Sequence, residues 1–431
     1  MAKFVKSEGG VTLELPKMAL IYQEFEAPKR VNISAELDRE WADIKPLLHL
    51  TPGKNIAVAV GSRGISNLSE IVRIIVSKLK AAGAYPFIVP AMGSHGGATA
   101  EGQTKVLKTL GITEDNVGVP VRATMEVKQL GKVDGIPLFV DRFAYEADGI
   151  VLINRIKPHT NFIGPTESGL IKMMAIGLGK KIGAEHYHRL SLVRDQYSVI
   201  SSAGRELIKR HNVLFGVGII ENHHHEVCLL KIIPPNDIEQ VEIDLLKKAR
   251  AYLPKLPLNK IDLLIIDEMG KDISGEGIDP NVVGRDVCMY GARRPSPKIT
   301  RIFVRDLTEA TQGNALGIGQ ADFTTRRLVD KINLSITAEN CLVSCCPEAG
   351  KIPLAYENDL GAIKASLKAI RPYTPEDIKI VHIKNTRDLA KVAVSHGCLS
   401  ELEGKSGIKI VERDLHWEFD SSGNLFSPLT S

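Results

Sequence analysis

Asn55-Ile56-Ala57-Val58-Ala59-Val60, running directly into Gly61-Ser62-Arg63-Gly64, is the stretch that decides the fold. Six uncharged residues rich in Val and Ile, closed by a glycine-bearing turn, read as a strand buried on both faces, as in a parallel sheet. Residues 68–82 follow with apolar side chains at helical spacing (Ile71, Ile74, Ile75, Leu79) and stop at Gly83, a fitting C-cap. A second apolar run, Tyr85-Pro86-Phe87-Ile88-Val89-Pro90, ends in Ala91-Met92-Gly93-Ser94-His95-Gly96-Gly97. Strand, helix and strand at these lengths make a βαβ unit.

The same pattern extends outward. A helix is expected over 99–110, closed by Gly111, and a third apolar run (149–153) feeds the segment 154–188. Further on, a helix over 190–209, a strand over 213–220 and a helix over 238–252 precede Pro254-Lys255-Leu256-Pro257, which marks a boundary near residue 255. A new strand at 261–266 enters a loop containing Lys271, with later strands at 301–304 and 378–383 and helices at 324–332 and 360–369. The expected fold is therefore α/β, two α/β domains with mainly parallel sheets, spanning 1–255 and 256–431. No internal repeat is evident, and the tail after Asp414 carries no readable element.

Composition narrows the function. Hydrophobic residues at 44% and charged residues at 25% fit a soluble globular chain. The net charge of +4 is scattered and aromatic residues are only 5%, which argues against nucleic acid as a partner. No apolar run is long enough to span a bilayer and no signal peptide opens the chain, so a cytoplasmic protein without membrane contact is expected. The six cysteines (228, 288, 341, 345, 346, 398) show neither disulfide rhythm nor paired CxxC, and are read as reduced.

Ligands in open α/β sheets bind just past the carboxyl ends of strands. Three strand-end loops here carry chemistry. Arg63 offers a guanidinium suited to a carboxylate or phosphate, against the plainer reading of a surface arginine. His95 lies among glycines that allow close backbone approach, against a turn whose glycines serve only the bend. His159 is pinned by Pro158, against an exposed loop histidine beside Lys157. Neither glycine loop fits a dinucleotide or P-loop spacing. Lys172, set among Leu170, Ile171, Met173 and Met174, is a candidate nucleophile or covalent anchor, or equally a snorkelling helix lysine. His186 and His188 are two apart and would point differently on a helix. In His223-His224-His225 at most two side chains could converge on a metal.

In this order, Arg63, Gly93-Ser94-His95, Pro158-His159, Ser168-Gly169 and Lys172 resemble the nickel-pincer-nucleotide lactate racemase family over most of residues 50–190. The resemblance implies a racemase or epimerase that inverts C2 of a 2-hydroxy acid by proton-coupled hydride transfer, with the active site in the cleft between the domains. The first domain would bind cofactor and catalyse, and the second would close over the substrate. Lys172 would carry the cofactor, a pyridinium thioamide/thiocarboxylate mononucleotide with nickel, with Ser62, Ser168 and Gly169 around it. His188 would ligate nickel, with His186 the other candidate. His95 and His159 would be acid–base partners, and Arg63 and Lys271 would bind substrate. Cofactor-biosynthesis enzymes would be partners in maturation, and a homo-oligomer is compatible with the reading. Val60 replaces the family's Asp, Gly96 its Arg, and the Pro-His to Lys interval is longer by the segment around Pro165-Thr166-Glu167. Gly96 and Glu167 suggest a larger, hydroxyl-rich substrate, an aldonate rather than lactate. Two other readings compete: a divalent-metal-dependent hydrolase or lyase using Arg63, His95 and His159, and a non-catalytic nickel- or nucleotide-binding protein.

Overall fold

The computed structural model describes residues 14–26, 28–45, 52–62, 64–288 and 294–429. The chain divides into two compact units, one of residues 27–253 and one of residues 1–26 with 254–431. Strand β1 (Met18–Gln23) opens the described chain and belongs to the second of these.

The 27–253 unit begins with α1 (Ile33–Ile44), β2 (Asn55–Val60), α2 (Leu68–Ala81) and β3 (Tyr85–Pro90), the expected βαβ unit. Then come α3 (Ala100–Thr109), a short α4 (Glu114–Val117), the hairpin β4 (Val127–Val133) and β5 (Ile136–Asp141), α5 (Arg142–Glu146) and β6 (Gly149–Arg155). A turn α6 (Leu170–Lys172) passes through a π-helical stretch, Met173–Gly177, into α7 (Leu178–Leu190), followed by α8 (Gln196–Arg210), β7 (Val213–Glu221), β8 (Val227–Ile233) and α9 (Ile238–Ala251). The sheet order is β3-β2-β6-β7-β8, parallel except where β7 meets β8.

Alternation along β2 divides the core. Ala57 and Ala59 pack into one cluster with Phe87, Leu152, Leu170 and Leu178, while Ile56, Val58 and Val60 join Ile71, Ile75 and Leu79 of α2 on the other face. The expected helix at 190–209 starts later, at Gln196, because Asp195 caps it by accepting the Ser198 N–H at 2.8 Å.

The second unit holds β9 (Lys260–Met269), α10 (Pro280–Val283), β10 (Lys298–Leu307), β11 (Phe323–Thr325), α11 (Arg326–Asp330), α12 (Leu334–Val343), β12 (Leu354–Tyr356), α13 (Asp359–Lys368), β13 (Ile380–Ile383), β14 (Lys391–Ser395) and β15 (Ile408–Leu415). Its sheet runs β12-β11-β10-β9-β13-β14-β1-β15, parallel from β12 to β13 and antiparallel beyond. The opening strand, counted from sequence with the 1–255 domain, thus sits in the other unit's sheet. Its apolar residues explain this: Met18, Ala19, Leu20 and Ile21 are all buried between β14 and β15.

Two further expectations change. Cys288 and Cys346 form a disulfide, so the reading of all six cysteines as reduced fails for that pair, while Cys228, Cys341, Cys345 and Cys398 keep their thiols outside any disulfide. The tail after Asp414 is ordered by polar contacts: Trp417 donates its indole N–H to the Pro16 carbonyl at 2.8 Å. Further on, the Leu425 N–H donates to Asp359 at 2.8 Å and the Leu425 carbonyl accepts from Arg305. Arg305 also pairs with Asp267 and Asp359, and His382 Nε2 lies 2.6 Å from Asp267. Burial alone would raise the Asp267 carboxyl, but His382 and Arg305 override it and hold it down at about 2. Among the described residues, no helix is long and apolar enough to cross a membrane.

Candidate active site

β3 and β6 flank β2 in parallel, and chain direction reverses there: β2 leads to β3 on one side, and β6 returns on the other. That is a topological switch point, and its crevice opens at the carboxyl ends of the strands. Ser62 follows β2, His95 follows β3 and His159 follows β6. With strands spaced by roughly 4.8 Å, the ends bearing the two histidines stand about 10 Å apart with the Ser62 loop between them. Arg63 lies outside the described residues.

Ser62 Oγ and His95 Nδ1 are in direct hydrogen-bond contact, so the hydroxyl orients the ring and can serve either tautomer. The His95 loop is shaped by glycine. Gly96 has φ +67, and a Cβ there would lie 2.5 Å from the Gly102 carbonyl carbon and 2.6 Å from the Gln103 nitrogen. Gly96 is therefore required by the contact with α3, which a larger residue would break.

His159 is buried and stacks on Phe162 with ring centroids 4.3 Å apart. Its Nδ1 accepts the Asn161 N–H at 3.0 Å, so the neutral ring carries its proton on Nε2. The long loop after it closes on itself. Lys157 and Ser168 exchange backbone hydrogen bonds at 2.9 and 3.2 Å. Buried Glu167 reaches back inside the loop to accept the N–H of His159 at 2.6 Å and of Gly164 at 3.0 Å, and pairs with Arg250 of α9. Glu167 is thus the internal brace of the inserted segment. Neither Gly96 nor Glu167 now argues for a larger substrate.

Ser168 and Gly169 lead into the lysine turn. Asn154, near the end of β6, donates to the Gly169 carbonyl at 2.8 Å. Glu242 of α9, fully buried, accepts the N–H groups of Leu170 at 2.7 Å and Ile171 at 3.2 Å, capping the helix start. A Cβ on Gly169 would lie 2.3 Å from Glu242 Oε1, which is why glycine stands there. Burial pushes the Glu242 carboxyl up to about 7, despite the two backbone donors. Its ordinary value is 4.5, so the folded chain favours the uncharged form; that contribution is complete below about 4.5 and is lost as pH rises through about 7. Glu242→Gln keeps an acceptor and removes the charge. Its urea midpoint should match wild type at pH 4 and exceed it at pH 8, by a gain on the order of 3 kcal/mol. Equal midpoints at both pH values would show that the carboxyl ionises in place without cost.

Beyond Lys172 the π-helical stretch lies close against the strand ends. The Gly93 N–H donates to the Gly177 carbonyl at 3.1 Å, and a Cβ on Gly177 would meet the Ala91 carbonyl oxygen at 2.7 Å. Such π segments recur at functional sites. His188, one helical run later, is pushed down to about 4 by burial and then by the Lys172 ammonium, which places the two side chains in one electrostatic neighbourhood. His186 points elsewhere: it is exposed, its Nδ1 lies 2.9 Å from the Ile182 carbonyl oxygen, and its ring packs on Phe139 at 5.1 Å. His188 thus lies within electrostatic reach of Lys172, while His186 is on the outer face of α7.

A neutral imidazole beside a lysine fits a nickel group that is anchored through an amine and brings donors of its own. A bare ion is a poorer fit. Among the described residues, no three His, Cys, Asp or Glu side chains converge on a common metal position, the His223-His224-His225 turn included.

Residues 24–199 match the family described as lactate racemase N-terminal domain. Over this segment the chain is similar to that family. The segment contains every candidate site residue except Lys271. In overall fold the chain is similar to the lactate racemase apoprotein from Thermoanaerobacterium thermosaccharolyticum, at 14% identity and TM-score 0.52, over 86% of this chain and 99% of that one. No curated protein matches the sequence. Outside the matched segment, Lys271 sits in the loop after β9, where its Nζ donates to Asn340 of α12 at 3.1 Å. Sequence reasoning missed two residues that build the site of the 27–253 unit: Glu242, distant in sequence from the turn it caps, and Lys180 of α7.

Proposed function

We propose that the protein is a racemase or epimerase inverting C2 of a 2-hydroxy acid, working with a nickel-pincer nucleotide attached to Lys172. The observation that carries this reading is the placement of His95 and His159 at the two strand ends flanking β2, in the unit where His188 also lies within electrostatic reach of Lys172. When bound, the group would accept hydride from C2 and return it.

The chain's own residues do the rest. His188 stays uncharged at neutral pH, as a metal ligand must. Ser62 Oγ can accept from His95 Nδ1–H, which leaves Nε2 to take the substrate hydroxyl proton. His159, with Nε2–H in its resting form, hydrogen-bonds the substrate oxygen, and as the imidazolium, with the Asn161 amide released, it supplies that oxygen's proton. To take a proton at Nε2 in the opposite direction, its Nδ1 must release the Asn161 amide. Two separate groups are needed because one imidazole cannot easily serve both faces of the carbon. Arg63 would hold the carboxylate, and Lys271 would add a second cation.

The test uses protein produced together with cofactor-building enzymes, incubated in ordinary water with 2-hydroxy acids deuterated at C2. Lactate and an aldonate form the two arms that separate a short substrate from a longer one. Inversion with deuterium kept at C2 is the expected result. Inversion with wash-out of the label would replace hydride transfer by simple deprotonation, and no inversion of either acid would remove the reading.

A further inference from the structure

Lys180 is a fully buried charge in the 27–253 unit that the proposed reaction does not use. It is 0% exposed and sits inside α7 at φ 56 and ψ −159, a backbone region almost reserved for glycine. Glycine would occupy it without strain, so the side chain is the reason lysine is there. Its Nζ lies 3.0 Å from Asp141 Oδ2, at the end of β5, and that carboxylate is itself 0% exposed. The same Nζ donates to Gln103 Oε1 of α3 at 3.0 Å and to the carbonyl of Pro90, the last residue of β3.

Gln103 passes the contact on. Its Nε2 donates to the Gly93 carbonyl at 2.8 Å and to the His95 carbonyl at 3.4 Å. The chain of contacts therefore runs from Asp141 through Lys180 and Gln103 into the loop that presents His95 to Ser62. A buried ion pair is no cheap source of stability, since apolar side chains of similar volume commonly serve as well. What it supplies is geometry: α3, α7, β3 and β5 meet in one arrangement, and the helical run from Leu170 to Leu190 that bears Lys172 and His188 is registered against the end of β3.

We propose that Lys180 is a positioning residue, its Asp141-neutralised ammonium fixing Gln103 and through it the loop that sets His95 against Ser62. This rests on the reading of His95 as an acid–base group, but its first readout does not. In full-length protein labelled with 15N in histidine, the His95 ring signals are assigned by their loss in His95→Gln, and their positions report the tautomer. Two variants probe the relay: Lys180→Met with Asp141→Asn, which removes both charges together, and Gln103→Met, which leaves the ion pair in place.

In both, His95 should move from one tautomer to an averaged pair. After cofactor loading, kcat should fall roughly 10- to 100-fold with KM within about twofold, the scale of an ångström-sized misplacement. The Lys172 mass increment should be retained. His95 signals superimposable on wild type in either folded variant would overturn the proposal. If the signals shift as expected while His95→Ala leaves turnover intact, the positioning stands and the functional reading is what fails.

Discussion

Lys172→Ala, produced alongside cofactor-building enzymes, should show the mass of the bare chain and no detectable inversion of any 2-hydroxy acid. Wild-type protein from the same host should carry a mass increment. The expectation follows from the turn that bears the lysine: Glu242 fixes its start, glycine contacts hold the segment beyond it against the strand ends, and His188 lies close enough to feel its charge. Lys180, on the same helical run, offers no substitute amine, since it is sealed by Asp141. Lys172→Arg should fail equally, because a guanidinium stays protonated and does not form an amide under ordinary conditions. An active wild-type enzyme with an unmodified mass would discard the attachment.

His95→Ala and His159→Ala should each lower kcat by roughly 10²- to 10⁴-fold, the usual weight of a positioned acid or base. The Lys172 mass increment should remain, separating lost chemistry from lost cofactor. The two hands of a substrate with one stereocentre are equal in free energy, so kcat/KM must drop by the same factor in both directions for either variant. Progress curves started from each pure enantiomer measure this. A variant retaining wild-type turnover would remove that histidine from the acid–base pair.

The parallel sheet of the first unit was readable because β2, β3 and β6 are short apolar runs ending in glycine or polar turns, so local sequence and tertiary role agree. The strand-end histidines were readable for the same reason. What escaped depends on partners far apart in the chain. Glu242 looks like an ordinary helix carboxylate until its distance to Leu170 is known. Lys180 looks like half of a surface lysine pair with Lys181. The Cys288–Cys346 bridge spans a sequence separation of 58, and the neighbouring Cys345 gives no hint of which thiol is joined. Gly96 and Glu167 have roles that no local pattern shows: the backbone of α3 leaves no room for a side chain at Gly96, and Glu167 accepts amides of its own loop.

The placement of β1 bears on how the protein can be cut for study. A piece beginning at Pro254 would lack the strand that fills the gap between β14 and β15, baring two unpaired backbone edges that invite self-association. Supplying residues 14–26 as a separate peptide, or grafting them after β15 through a flexible linker, should keep such a piece monomeric where the bare one precipitates.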